Sequence, residues 1–172
     1  MIADLNTLFD VQGKDLEYLT DQFDMFAEVT GQDTSTAIKG VSDLMHKWNI
    51  DTEDAPKVLD QLTKAGQMSG ISVAELTSEL SQNQATLSEL GYNTTQSISL
   101  LSSFSKEGIN SSSVLTGMKT AMAGFAQAGL NGREELAKVV TQIQEASTST
   151  EALSIATETF GARIGAEIVK AF

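Results

Sequence analysis

Apolar residues recur at intervals of three and four along almost the whole chain, and short motifs built on Gly or Asn cut the runs. Such spacing puts the apolar side chains on one face of a helix. The clearest stretch, GISVAELTSELSQNQATLSELGYNTTQSISLLSSFSKEGIN from Gly70 to Asn110, carries Gly-Ile-Ser, Gly-Tyr-Asn and Gly-Ile-Asn around two such runs. In each triplet a Gly ends one helix in the left-handed conformation and the large apolar residue folds back on the last turn. Asn or Ser then caps the next helix. The same order stands at Gly129-Leu130-Asn131, at Asn49-Ile50-Asp51 and, more weakly, at Gly31-Gln32-Asp33. Gly31, Asn49, Gly70, Gly91, Gly108 and Gly129 are therefore the expected structural turns. From Asn49 onward they recur at intervals of roughly 20 residues, which suits short antiparallel helices. No strand-like alternation stands out, and the pattern predicts an all-α fold: a compact array of about eight to nine short antiparallel helices joined by tight Gly-led turns.

Taken in order, Ile2, Leu5 and Phe9 predict a first short apolar face broken by Gly13, and Leu16, Leu19, Phe23 and Phe26 predict a second. Asp33 or Thr34 can cap a helix carrying Ile38, Val41, Met45 and Trp48, with Gly40 as a weak point. Thr52 is the expected cap of the next helix, with Glu53 and Asp54 at the positive end of its dipole and Pro56 near its start. Ala55, Val58, Leu62 and Ala65 should face inward. Ser72 and Glu75 form a capping box ahead of Val73, Leu76, Leu80, Leu87 and Leu90. Asn83 interrupts that seam, as a satisfied core or interface amide or as a register-setting contact to another chain.

Further on, Ile98, Leu101 and either Leu100 or Phe104 should be buried, and Asn110 should open a helix of Val114, Met118, Ala121, Met122 and Phe125. Gly117, Ala121, Gly124 and Ala128 permit close approach of a neighbour to that helix. Asn131 should start a helix packing Leu136, Val139, Val140 and Ile143, with Arg133, Glu134, Glu135 and Lys138 in water. Ser149 or Thr150 should cap a last helical pair, broken near Gly161 and packing Leu153, Ala156, Phe160, Ile164 and Ile168. Residues 1–172 read as a single helical module, with a candidate sub-boundary at 146–149. Because the chain starts and stops within apolar-periodic runs, it reads as a fragment of a much longer one.

A formal charge of −12 with scattered basic residues disfavours nucleic acid and anionic membrane, both of which attract clustered Lys and Arg. The absence of Cys removes disulfides, thiolate nucleophiles and Cys-type zinc sites. No run approaches the roughly 20 apolar residues that span a bilayer, and the first residues lack the pattern of a secretory signal. The lone histidine, His46, beside Lys47, reads as a surface or helix-end residue. Asp51, Glu53 and Asp54 lack the calcium-loop pattern. Phosphate-cradling Gly motifs are absent, and Gly161 and Gly165 spell a GxxxG whose neighbours Arg163, Glu167 and Lys170 rule out a plain membrane dimer motif. Met25, Met45, Met68, Met118 and Met122 read as core filler. The residues therefore indicate no enzyme, no cofactor site, no metal site and no catalytic residue.

The segments LTKAGQMSGISVAELTSEL, LSELGYN, SSVLTGMKTAMAGFA and TEALSIATETFGARIG resemble the core region of phage tail tape measure proteins of long-tailed phages and prophages, and similarity begins near ADLNT. The resemblance implies a long, largely helical structural protein in the lumen of the tail tube. Such a protein sets tail length during tube polymerisation and leaves before or with the DNA. It implies no catalytic residues in this region. It implies tail tube subunits, tail assembly chaperones and self-association as candidate contacts, and the virion tail as location, with the bacterial host cytoplasm during assembly. As one helix the chain would span about 260 Å, which frequent Gly corners forbid. The expectation is a folded module, with length-measuring helices outside it. The alternative reading is a helical protein-binding adaptor unrelated to phage tails, using an apolar groove between helices.

Overall fold

The computed structural model describes every residue from Met1 to Phe172 and contains nine α-helices, one short 3-10 turn and no strands. The helices are α1 (Ile2–Phe9), α2 (Gly13–Thr30), α3 (Thr34–Trp48), α4 (Ala55–Ser69), α5 (Val73–Leu90), α6 (Thr94–Lys106), α7 (Ser111–Gln127), α8 (Gly132–Glu145) and α9 (Ser149–Ala171), with the 3-10 turn at Thr52–Asp54 before α4. No helix is long and apolar enough to cross a membrane.

Backbone chemistry explains where the helices stop. At Gly91 the Tyr92 amide donates to the Leu87 carbonyl at 3.0 Å and the Gly91 amide to that of Ser88 at 3.1 Å. This pair of bonds satisfies carbonyls that the end of α5 would otherwise leave bare. It requires φ of 95° at Gly91, a value that suits a residue without Cβ. The same pair recurs at Asn49, Gly108 and Gly129, while Gly31 and Gly70 are also left-handed. Asn49, at φ 51°, is of the residue type that visits this region at least cost after Gly.

The starts are capped by side chains. Thr36, Ser113 and Glu151 donate their amides to Asp33, Asn110 and Thr148 at 2.9, 2.8 and 3.2 Å. The Glu75 amide donates to Ser72 Oγ at 3.2 Å. The Thr36 amide holds the Asp33 carboxyl below its ordinary range, with help from the Thr36 hydroxyl.

By its internal contacts the chain divides into two compact units, residues 1–84 with 94–102 and residues 85–93 with 103–172. The linker at 146–149 lies within the second. In the first unit α1 packs on α2 and α3, and α2 also packs on α4. Phe23 is fully buried there, its ring 5.4 Å from that of Phe9 and 6.5 Å from that of Phe26. Leu5, Ile38, Leu44, Leu62, Leu76, Leu80 and Leu101 complete its deepest layer. In the second unit α7, α8 and α9 pack against one another, over buried Phe104, Leu115 and Met118. Phe172 meets Phe104 edge-on at 6.4 Å.

Several expected positions differ. Ile2 and Leu153 are exposed, as are Met25 and Met68; of the methionines expected inside, Met45 and Met118 are buried and Met122 is half-buried. Leu100 and Phe104 are both buried, because α6 is apolar on more than one stripe. Gly40 does not weaken α3, which runs unbroken past it. Thr52 does not cap its own helix: its hydroxyl donates to the Phe9 carbonyl at 3.1 Å, closing the end of α1 across the sequence. Thr148, rather than Ser149 or Thr150, caps α9. Asn83 donates to the Glu79 carbonyl of its own helix at 2.9 Å, the local bond open to a short amide in a helix. Leu130 is half exposed and does not fold fully onto α7, whereas Ile71 and Ile109 at the equivalent position are buried.

Candidate interaction surface

A concavity lies wholly in the second unit, an open groove of about 850 Å³ between α7, α8 and α9. It exists because α7 presents Gly117, Ala121 and Gly124 on one side, where larger side chains would fill the space. A Cβ on Gly117 would lie 2.7 Å from Ile164 Cγ2, so the missing atom sets how near α9 comes. The walls are Phe125, Val139, Phe160 and Ile164, all half-buried. Hydroxyls of Ser113, Thr116 and Thr120 line one side, and Glu158 and Arg163 stand exposed at the rim. The lining offers ring faces, methyls and hydroxyls, which suits contact with another surface more than proton transfer or nucleophilic attack.

The second half of α9 returns over the first through Gly161, whose φ of 79° and ψ of 159° fall in a region open essentially to Gly. Buried Gly165 then lies against the backbone of Ala156 and Thr157. That reversal positions Ile164 against α7.

His46 stands exposed in the last turn of α3, and Glu53 and Asp54 are exposed at the 3-10 turn. No group of three or more His, Cys, Asp or Glu side chains is placed to hold a metal ion. Gly31, Asn49 and Gly70 belong to the first unit and Gly91, Gly108 and Gly129 to the second, each closing its own helix end.

Arg133 is a residue whose part the sequence pattern did not reveal. It is exposed, but its guanidinium donates to the Glu89 carbonyl at 2.7 Å and to that of Ser88 at 3.1 Å, at the negative end of α5. Lys119 adds an ion pair to Glu89 at 2.6 Å. Just past the end of α5, the Tyr92 phenol is pushed above its ordinary pKa by burial. Arg133→Ala should cost about 1 kcal/mol of stability, measured by urea unfolding, with Arg133→Lys recovering part of it. An unchanged midpoint would show that water replaces the guanidinium without loss.

With this geometry in view, the comparison with known proteins is decisive at the level of family. A family model for phage-related minor tail proteins matches residues 1–162. The chain belongs to that family. No curated protein and no solved structure matches it. As a phage-related minor tail protein, the chain has a structural role in the virion tail and works among protein partners there. The family sets aside the alternative of an adaptor unrelated to tails. An open, small-residue groove and helix ends tied by backbone bonds are consistent with such a role.

Proposed function

We propose that the chain is a folded module of a tape measure protein, and that it acts in tail assembly and tail-length determination through helix-mediated contacts. The observation that carries this reading is the run of motifs resembling the tape measure core, from LTKAGQMSGISVAELTSEL to TEALSIATETFGARIG, within a chain of the minor tail family. The module contributes contacts, and helices elsewhere in a longer chain contribute length. Tail tube subunits and tail assembly chaperones are the partners this reading implies, met first in the host cytoplasm and then in the tail.

Electron microscopy of tails from phage carrying in-frame deletions in this gene tests it. Deletions in helical segments outside the module should shorten tails in proportion to the residues removed. Tails of constant length across all such deletions would sink the tape measure reading. Shortening by about 1.5 Å per residue removed from within 1–172 would instead show an extended helix there, and sink the folded module.

A further inference from the structure

The outer face of α2 breaks the pattern of a surface helix. Its inner face buries Leu19, Phe23, Phe26 and Ala27, yet Tyr18, Met25 and Val29 stand 55%, 52% and 60% exposed on the other side. Steps of seven and four residues align these three along one stripe. Single exposed apolar residues are ordinary, but a row at helical spacing is the seam that a second helix reads.

Along one edge of the stripe run Glu17, Asp21, Asp24 and Glu28, all exposed. None of them enters an ion pair, and the basic residue of α2 is Lys14, in its first turn. An acidic band beside an apolar seam selects its occupant. A second copy would bring acid against acid on a chain of net charge −12, and nucleic acid or an anionic bilayer would be repelled.

We infer that the Tyr18–Met25–Val29 stripe of α2 is a docking site for a basic amphipathic helix of a protein partner. The partner lays its apolar ridge on Met25 and places Lys or Arg against Asp21 and Glu28. Apolar contact supplies the holding energy, while the charged edge sets orientation and rejects acidic helices. This goes beyond the tail-length reading and stands or falls without it.

The probe is a fluorescently labelled helical peptide with Leu on one face and Lys on the other, titrated into the whole chain and read by anisotropy. A Leu/Glu peptide of the same pattern serves as comparison. The Leu/Lys peptide should bind and the Leu/Glu peptide should not. Met25→Glu and Val29→Glu should each weaken binding at least about tenfold, although each adds a negative charge that would strengthen attraction by charge alone. Met68→Glu, at an 81% exposed site on α4, should leave affinity unchanged. Circular dichroism checks that the variants keep their helices. Binding that is unchanged or tighter in Met25→Glu and Val29→Glu overturns the inference, as does equal binding of the Leu/Glu peptide. Self-association by sedimentation that Met25→Glu abolishes would also overturn it, assigning the face to a second copy.

Discussion

Phe23→Ala should destabilise the first unit by about 3 to 5 kcal/mol, the loss expected when a fully buried ring is deleted and the cavity cannot close. The ring is fully buried and touches Phe9 and Phe26, so truncation removes both its own burial and two ring contacts. For a chain of this size that corresponds to a fall of roughly 10 °C in melting temperature. Phe23→Leu should recover more than half of the loss, because it refills most of the volume. Calorimetry checks both; a Phe23→Ala midpoint within a degree or two of the parent would show that this cluster is not the centre of the unit.

Gly165→Val should cost about 3 kcal/mol and disrupt the reversal of α9. An added Cβ there would sit 2.8 Å from the Thr157 nitrogen and 2.9 Å from the Ala156 carbonyl carbon, and backbone cannot rotate away as a side chain can. Gly124→Ala is the contrast. Its Cβ would meet nothing within 4 Å, so the change should stabilise α7 by about 0.5 to 1 kcal/mol through lower chain entropy. Opposite signs for two small-residue substitutions in one unit, read by urea unfolding, are the expected result. Equal tolerance of both would show that α9 does not fold back on itself at Gly165.

Helix identity was legible because it is written locally. The spacing of Leu76, Leu80, Leu87 and Leu90, and the order of Gly, apolar residue and Asn, act within one or two turns and need no knowledge of the rest of the chain. What lay hidden depends on residues far apart in sequence. Thr52 reads as a cap because its own neighbours invite it, yet the Phe9 carbonyl claims its hydroxyl. Arg133 reads as a solvated charge until α5 is known to end beside it. Apolar residues on both sides of α2 cannot be sorted by period alone, so Met25 reads as core although it faces outward. The groove along Gly117 was foreshadowed by its small residues, but its walls come from α8 and α9, which the pattern of α7 does not specify.

The order in which the two units claim the chain bears on its synthesis. The first unit takes residues 1–84, gives way to the second at 85–93 and resumes at 94–102. A ribosome must therefore release Ser102 before the first unit can close, and a nascent chain halted at Gln84 lacks the segment that supplies Ile98 and Leu101. Until then α1 to α4 can pack on one another, but the core they share lacks the side chains of Ile98 and Leu101 and stays open at that place, the kind of transiently exposed apolar surface that favours aggregation of a half-made chain.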